Sequence, residues 1–537
     1  MDVLQSSRKL INDIISVTGA QMKILLMDGE TTPSVSCAYA QSEIMQKEVY
    51  IFDRIDYKTP KENISHLKCV VFVRPTSKNI EHLVQELKHP RFNQYYIYFS
   101  NAISKYDIKS LAEADENEVV REVQEVYMDG IPLRKDLLTV NLPHIYGKDR
   151  NVTPEAFERM KCSIVALLLQ LRKNPSVRYQ GNSQNAQKLA DEVNQFIKRE
   201  NGLFEHSKSD STILIVERSF DVVTPLLNQW TYEAMVHELL TLTNNRFSCG
   251  GQNFVLSELN DEFFAENIIS NFGEIGQNIK SLVNTFQEKK HINKNLESIS
   301  DMKKFVEDYP QFKKMTGTVS KHVSLVEELS KIVQDTNLLE ISELEQSIVA
   351  DGDAARCFQR IKELLANPRT TELNAMRLVM LYRLRFENNA NYEYNQLINH
   401  LGKRQDTSVI EKLLRYSEAS RRSADLFGEA TTMEITKKFI KGLKGVENIY
   451  TQHEPYLKKV IENLVRGKLD NFPSIGTDNQ RRENIIVFVI GGATYEEAAC
   501  VRTFNQRRAQ GYGGPAVILA SNCMLNTKSF TEQLRKL

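Results

Sequence analysis

The sequence predicts an α/β protein that carries a large, mostly helical insertion. Over the first 130 residues, short apolar runs of strand length alternate with amphipathic segments. Strand-like runs nearly vanish between about residues 239 and 468, where long charged segments repeat their apolar residues with a helical period. Two buried-strand runs return near the C-terminus. Alternation of strands and helices is typical of parallel sheets covered by helices, and an unbroken series of helices favours a separate helical domain.

The first predicted sheet belongs to a domain that spans residues 1–131. Its strands are the apolar runs at residues 23–27, 70–73 and 95–99. Between the last two runs, apolar residues recur at the spacing of one helix face, namely Ile80, Leu83, Val84 and Leu87. A strand, helix, strand order predicts parallel pairing, because parallel strands need a long crossover connection.

The second predicted sheet combines two distant segments, residues 132–238 and residues 478–537. A polar, turn-rich stretch at residues 143–152 separates it from the first sheet. The helices and strands predicted in these segments lie at residues 164–171, 186–197, 213–216, 485–490 and 516–520. Residues 239–477 are then a helical domain inserted into the second α/β domain, an arrangement that keeps the domain boundaries at the surface.

The composition is that of an ordinary soluble protein with no overall charge. The chain has 537 residues, 69 basic and 69 acidic side chains and 41% apolar residues, so no global field draws it to nucleic acid or anionic lipid. Its seven cysteines are odd in number and contain no CxxC pair, which predicts reduced thiols rather than disulfides or zinc ligands. Since neither a signal-like N-terminus nor an apolar run of about 18 residues occurs, we expect a cytoplasmic protein that reaches membranes through partners.

Three motifs test for chemistry, and each has a structural alternative. Gly491 and Gly492 stand between a strand and a helix, as a tight turn or as an anion site without the dinucleotide or P-loop spacing. His237 lacks the second histidine of a zinc-protease motif, which favours a surface or capping role. Asp28 follows the first strand without a second carboxylate, lysine or nucleophile in a recognisable constellation. An enzyme is therefore unsupported, and we expect no catalytic residue, cofactor or metal.

The helical region contains two broad apolar stripes separated by Pro310. A proline disfavours helix interior positions, so the sequence predicts that one helix stops at Pro310 and a second begins after it. The first stripe consists of Ile292, Leu296, Ile299, Met302, Phe305, Val306 and Tyr309. The second consists of Val319, Val323, Val326 and Val333, flanked by Leu325, Leu329 and Ile332. Either both stripes pack inside the domain, or the hairpin leaves one free to template a foreign amphipathic helix.

Several blocks of the sequence resemble the SM proteins, a family named for the Sec and Munc regulators of SNARE proteins. The most recognisable blocks are Thr224-Pro-Leu-Leu227, Gln229-Trp-Thr-Tyr232, Ala234-Met-Val-His-Glu-Leu-Leu240, Tyr309-Pro-Gln-Phe-Lys-Lys314, Glu343-Leu-Glu-Gln346 and Val489-Ile-Gly-Gly-Ala-Thr-Tyr-Glu-Glu497. Members of the family usually have Asp-Arg after the strand at 213–216. This chain has Glu217-Arg218 there, which keeps the same charges. Five more blocks look like one vacuolar protein sorting branch: Thr31-Thr32, Gln41-Ser-Glu-Ile44, Asn271-Phe-Gly-Glu-Ile275, Thr316-Gly-Thr-Val-Ser-Lys-His-Val323 and Gly442-Leu-Lys-Gly-Val-Glu-Asn448.

The resemblance implies an arch of three domains that handles SNARE proteins in traffic between endosomes and the trans-Golgi network. It implies a syntaxin-type Qa-SNARE as the main partner, together with the assembled SNARE complex and a vesicle-side R-SNARE. It further implies a monomer that associates peripherally with endosomal and Golgi membranes. Two rival functions remain open: an enzyme at the sheet ends, and a tethering-complex scaffold that does not bind the syntaxin N-terminal peptide.

The resemblance also implies three groups of binding residues. An outer pocket for the syntaxin N-terminal peptide consists of Ile108, Leu111, Ala112, Val120, Val123 and Glu125, of which the first three share a helix face. The central cleft is lined by Asp53 and Arg54. The R-SNARE hairpin, near residues 290–335, uses Pro310, Val319 and Val323. The alternative for the outer pocket is that the same helix face packs on its own sheet.

Overall fold

The computed structural model describes residues 1–19, 21–57, 64–147, 151–294, 299–350, 353–388, 391–402, 406–422, 426–427, 453–476 and 483–537. The block Gly442-Leu-Lys-Gly-Val-Glu-Asn448 lies outside these residues. Two compact units divide the chain: the first comprises Met1–Arg218, Asn463–Ala493 and Val501–Met524, and the second comprises Ser219–Glu462, Thr494–Cys500 and Leu525–Leu537. The predicted domain boundaries stay a prediction.

The helices and strands are numbered here in chain order. The strands are β1 (Lys23–Met27), β2 (Val49–Arg54), β3 (Lys68–Val73), β4 (Gln94–Phe99), β5 (Val120–Glu125), β6 (Ile131–Arg134), β7 (Leu137–Thr139), β8 (Ser176–Tyr179), β9 (Ser211–Glu217), β10 (Arg246–Cys249), β11 (Gln252–Val255), β12 (Ser474–Ile475), β13 (Asn484–Ile490), β14 (Ala493–Thr494), β15 (Ala516–Ser521) and β16 (Met524–Leu525). The helices are α1 (Val3–Ser16), α2 (Thr31–Ala38), α3 (Gln41–Met45), α4 (Ser77–Lys88), α5 (Lys105–Ala114), α6 (Pro154–Gln170), α7 (Gln184–Arg199), α8 (Tyr232–Leu240), α9 (Glu262–Asn267), α10 (Phe272–Lys294), α11 (Ile299–Asp335), α12 (Leu338–Ala350), α13 (Ala354–Ala366), α14 (Glu372–Arg385), α15 (Asn391–Leu401), α16 (Ser408–Tyr416), α17 (Tyr456–Val465), α18 (Tyr495–Ala509) and α19 (Thr527–Lys536).

The first sheet has the order β2-β1-β3-β4-β5, and all of its strands are parallel. Every residue of β1 is buried, because both faces of the sheet are covered. Alternate residues of each strand enter different cores: Leu26 and Ile97 lie in one, and Leu25 and Tyr98 lie in the other. Strands β1, β3 and β4 and helix α4 confirm the predicted elements.

The second sheet has the order β12-β8-β9-β13-β15-β7-β6. Its middle strands β8, β9, β13, β15 and β7 pair in parallel, and antiparallel pairs close both edges. The central strand β13 is fully buried and reads Asn-Ile-Ile-Val-Phe-Val-Ile. Since β9 and β13 are far apart in the chain, the prediction of a sheet built from two distant segments is confirmed.

The glycine pair after β13 forms a tight turn. Gly491 and Gly492 have φ angles of +96° and +105°, a region that residues with a side chain rarely adopt. The Gly491 N–H donates to Asn522 Oδ1 at 2.7 Å, and the Gly492 carbonyl accepts from Arg218 at 3.3 Å. The protein itself therefore uses these backbone groups, which supports the turn over the anion site.

The second unit is mainly helical, as predicted, but it also contains a β-hairpin that the sequence did not predict. Strands β10 and β11 pair antiparallel around Gly250 and Gly251, whose φ angles are +55° and +75°. Two consecutive residues with positive φ are typical of tight hairpin turns. Within the residues that the structure describes, every helix is too short or too polar to cross a bilayer.

Helix α11 corrects the prediction that a helix ends at Pro310. It is continuous from Ile299 to Asp335 and includes Pro310 in its interior. A proline removes one backbone hydrogen bond and costs about 3 kcal/mol in a helix interior. The helix has 37 residues and packs against α10, and contacts of this kind can offset the cost of one proline.

Candidate functional site

Helix α5 presents one side of the predicted outer pocket. Ser104 caps its first turn by accepting from the Asp107 N–H at 3.0 Å, which fixes where the helix begins. Leu111 is buried in the core below the helix, whereas Ile108 is 43% exposed and Ala112 is exposed. The structure therefore divides the predicted helix face: Leu111 packs on its own sheet, and Ile108 and Ala112 face solvent.

Strand β5 presents the other side of this pocket. It forms the edge of the first sheet, where Val120 lies opposite Tyr95, Val123 opposite Ile97 and Glu125 opposite Phe99. Because Tyr95, Ile97 and Phe99 all enter the core that holds Leu111, the three β5 residues point to the same face of the sheet. Val120 packs against that core, and Val123 is 40% exposed.

Glu125 closes one end of the β5 edge. Its Oε1 accepts from the Ile103 N–H at 2.8 Å, and its Oε2 accepts from the Tyr127 hydroxyl at 2.8 Å. Burial and the Glu125 carboxylate raise the pKa of Tyr127 well above its usual value. Glu125 therefore holds the loop before α5 to the end of β5, and its role in the fold is positional.

The structure brings all six predicted residues to one face of the first sheet. Leu111 and Val120 form its floor, and Ile108, Ala112, Val123 and Glu125 lie exposed above it. Exposed large apolar side chains on an edge strand and its covering helix are typical of a peptide-binding surface. Tyr106 is also mostly exposed on α5, and it was not among the residues predicted for the pocket. The feature that could have identified it is a large aromatic residue outside the apolar stripe of the helix.

Asp53 and Arg54, predicted to line a cleft, end strand β2 and are not lone charges. Asp53 Oδ2 accepts from Arg91 at 3.2 Å. Arg54 Nε donates to Asp56 Oδ1 at 2.9 Å, and its guanidinium lies over the ring of Tyr57 at 4.4 Å. The hydrogen bond from Arg54 lowers the pKa of Asp56, and it outweighs burial, which alone would raise that pKa. Both side chains are partly exposed, so a partner would meet paired groups.

The C-terminal half of α11 separates into a buried and an exposed stripe. Leu325, Leu329 and Val333 are buried, whereas Val323 is 37% exposed and Val319 is half-buried. Lys321 lies on nearly the opposite side of α11 from Val319 and Val323, and its Nζ donates to the Val255 carbonyl of β11 at 3.1 Å. Val333 of the second predicted stripe is buried and Val323 of the same stripe is exposed, so a stripe free to template a foreign helix stays a prediction.

A buried polar chain fixes α11 beside this exposed stripe. His322 Nδ1 lies 2.7 Å from the Tyr232 hydroxyl, and His322 Nε2 lies 2.9 Å from Asp261 Oδ2. Lys321 forms an ion pair with the same carboxylate. Burial lowers the pKa of His322 against the opposing effect of Asp261. Burial alone would raise the pKa of Asp261, but the hydrogen bond from His322 and the charge of Lys321 lower it to about 2.

Asp28 and His237 have structural roles. The buried Asp28 carboxylate accepts from the N–H groups of Glu30, Thr31 and Arg74 and from the Asn79 side chain, at 2.6–2.8 Å. Its oxygens are fully engaged in joining the ends of β1 and β3. His237 is buried rather than on the surface, and its Nδ1 accepts from the Leu242 N–H at 3.1 Å, just after helix α8 ends. It therefore caps the chain that leaves this helix.

Comparison with known families places the chain in a class. A model described as the Sec1 family matches residues 23–533, which is nearly the whole chain. The chain belongs to the Sec1 family, and the resemblance to the SM proteins is confirmed. The two sheets, whose central strands are parallel, and the mostly helical region agree with the fold class that this resemblance implied.

Individual relatives lie in the vacuolar protein sorting branch. Vacuolar protein sorting-associated protein 45 of Homo sapiens is 47% identical over 99% of this chain and 96% of that protein. The protein of the same name from Saccharomyces cerevisiae is 33% identical over 96% of this chain and 94% of that protein. A solved structure described as "SM Protein Vps45 in Complex with Qa SNARE Tlg2 (1-310)" is 38% identical, with a TM-score of 0.91, and covers 100% of this chain and 98% of that chain.

Proposed function

We propose that this chain regulates SNARE-mediated vesicle fusion by binding a syntaxin-type Qa-SNARE and promoting correct SNARE complex assembly. The observation that carries the proposal is the match over both full lengths to an SM protein solved in complex with a Qa-SNARE. We place the activity in traffic between endosomes and the trans-Golgi network, with membrane association through partners, because the chain's relatives are vacuolar protein sorting proteins.

The outer pocket is the proposed site for the N-terminal peptide of the syntaxin. Its support is geometric: Ile108 and Val123 are exposed apolar side chains on one face of the sheet, above Leu111 and Val120. An apolar side chain of an extended peptide gains about 1.5–3 kcal/mol when such a surface covers it. The β5 edge also offers backbone groups to an added strand.

Asp53 and Arg54 are the proposed contacts to the helical part of the syntaxin, and α11 is the proposed template for the R-SNARE. Val319 and Val323 lie on the exposed stripe of α11, at the i, i+4 spacing that matches one face of an amphipathic helix. The same helix contains Pro310. A helix held in place by its buried stripe offers the exposed one at little conformational cost.

The proposed mechanism is assembly on a template, without covalent chemistry. Holding the syntaxin at two places and the R-SNARE on α11 reduces the entropy lost when SNARE helices align. Partners whose apolar or charged residues do not match the surfaces bind less tightly, which gives selectivity. This role calls for no cofactor and no catalytic residue.

The deciding experiment is calorimetric titration of an endosomal syntaxin, with and without its N-terminal peptide, against wild type and Ile108→Arg. We expect the N-terminal peptide to tighten syntaxin binding to wild type. We expect Ile108→Arg to weaken the binding of the peptide-bearing syntaxin by about tenfold. Leu203→Arg is the matched control, because Leu203 is 44% exposed on a different part of the same unit.

Each result leads to a distinct conclusion. Equal losses in Ile108→Arg and Leu203→Arg would mean that the added charge acts nonspecifically. Unchanged binding in Ile108→Arg would assign the main syntaxin contact to Asp53 and Arg54. If no syntaxin binds at all, the tethering scaffold becomes the better account of the chain.

A further inference from the structure

The first sheet has a topological switch point at the carboxyl ends of β1 and β3. In the order β2-β1-β3-β4-β5, the chain leaves β1 toward one edge of the sheet and leaves β3 toward the other. Open parallel sheets commonly bind ligands in the crevice at this point, outside the carboxyl ends of the strands. Here a cleft of about 640 Å³ opens there, lined by Gly29 and Glu30 after β1 and by Arg74 after β3. Its volume is in the range of small-molecule sites.

Two arginines line this switch-point cleft, and a buried carboxylate holds both. Asp129 Oδ2 lies 2.6 Å from Arg159 Nη1, and Asp129 Oδ1 lies 3.5 Å from Arg74 Nε. Asn101 donates to the same carboxylate at 3.0 Å. Asp129 is almost fully buried, so one nitrogen of each guanidinium lies beside a buried negative charge.

Glu30 occupies the open side of both arginines. Its Oε2 lies 3.1 Å from Arg159 Nη2 and its Oε1 lies 3.4 Å from Arg74 Nη1. The Glu30 side chain is 48% exposed, in contrast to Asp129. The two arginines are more buried than Glu30, so Glu30 is the solvent-facing member of each ion pair. A carboxylate from outside can therefore approach the position that Glu30 occupies.

The rim of the cleft is negatively charged, in contrast to its arginines. Glu155 lies exposed in the first turn of α6 and lines the same cleft as the arginines. A ligand with only negative charge would be repelled at this rim. A ligand that carries a carboxylate and a separate cation satisfies both ends.

We propose that the switch-point cleft binds a zwitterionic ligand, whose carboxylate replaces Glu30 on Arg74 and Arg159 and whose cationic group faces Glu155. Glu30 is then an internal competitor that fills the site when no ligand is bound. The same chemistry is available from a free basic amino acid and from a peptide segment with neighbouring acidic and basic side chains. The lining of this cleft includes no residue of the outer pocket, and its Gly29 lies beside Arg54.

The test is ligand-detected saturation-transfer NMR on the full chain with L-lysine as the probe. We expect lysine to bind with a Kd on the order of millimolar, and 1,5-diaminopentane, which lacks the carboxylate, to bind at least about fivefold more weakly. Glu30→Gln should tighten lysine binding about threefold or more because the competitor is weakened. Arg74→Gln should weaken it about tenfold. Glu200→Gln, an exposed glutamate outside the cleft, should change nothing.

Two results would overturn the proposal: equal binding of lysine and diaminopentane, or weaker lysine binding in Glu30→Gln. Because Arg74 is only partly buried, its variant should fold, and its thermal midpoint checks this directly. A terminally blocked Asp-Lys dipeptide separates the two sources. Tighter binding of the dipeptide than of lysine assigns the cleft to a peptide segment, and the reverse assigns it to a free amino acid.

Discussion

The Tyr232 hydroxyl lies 2.7 Å from His322 Nδ1, and both side chains are almost completely buried. Tyr232 belongs to α8 and His322 belongs to α11, so this contact joins two helices of the second unit. His322 also contacts Asp261, the residue that caps α9. One histidine thereby holds α11 at the level of Val319 and Val323.

Replacing His322 by Phe should destabilise the second unit by about 2–4 kcal/mol. The substitution leaves the Tyr232 hydroxyl without its buried partner and removes one donor from the Asp261 carboxylate. The measurement is urea-induced unfolding followed by the fluorescence of Trp230, the single tryptophan of the chain, which is buried in this unit. Tyr232→Phe combined with His322→Phe should cost less than the two single changes together, because they break the same contact. Strict additivity would contradict the coupling.

The second unit should lose stability as the pH falls below about 6.5, in part through His237. Burial lowers the pKa of His237 to about 4 from an ordinary value of 6.5. The unfolded chain therefore binds more protons than the folded one between pH 6.5 and 4, so the contribution of neutral His237 is complete above 6.5 and is lost as the pH falls. The stability deficit of His237→Phe relative to wild type should shrink by about 2 kcal/mol between pH 6.5 and 5. Trp230 fluorescence reports both proteins; a deficit independent of pH would show that His237 titrates normally.

Pro310→Ala should stabilise α11 and speed R-SNARE assembly. Alanine restores a backbone donor and relieves the proline clash, a gain of up to about 3 kcal/mol in a helix interior. Amide exchange around residues 306–316 should slow by as much as about a hundredfold, and Thr316→Ala in the same helix should change it far less. If exchange slows and the assembly rate in a reconstituted fusion assay stays constant, the stability of α11 around Pro310 does not control the rate of SNARE assembly.

Val323→Asp should weaken R-SNARE binding without lowering stability. Val323 is exposed, so the substitution should change the free energy of unfolding by less than about 0.5 kcal/mol. A charge in the middle of an apolar contact should reduce affinity about tenfold or more. Leu339→Asp is the matched control, because Leu339 is 44% exposed on α12. Equal losses in the two variants would argue against a specific site on α11.

The buried strands could be predicted because each is apolar on both faces. All five residues of β1 and all seven of β13 are buried, and short apolar runs of this length are typical of parallel strands covered on both faces. The edge strands β2 and β5 are partly exposed and have mixed sequences, so no apolar run marks them. Pro310 illustrates another limit, since packing along a long helix overrides a local preference.

The outer pocket shows what a helix face leaves undetermined. Ile108 and Leu111 lie on the same stripe of α5, and the periodicity places both toward the sheet. Only the position of the edge strand decides that Leu111 is covered and Ile108 is not. The arginine pair of the switch-point cleft was likewise not predictable, because Arg74 and Arg159 are far apart in the chain and are brought together by Asp129 and Glu30.

The two sheets complete themselves at different moments of synthesis. Every strand of the first sheet comes from residues 23–125. That sheet can therefore form before most of the chain has been synthesised. The second sheet places β13 between β9 and β15, and about half of the chain is synthesised between β9 and β13. Until then Ile213 and Ile215 of β9 have only β8 beside them, and the other edge of β9 is open to aggregation. A premature stop codon before β13 would thus leave a folded first sheet joined to a chain that chaperones and proteases recognise.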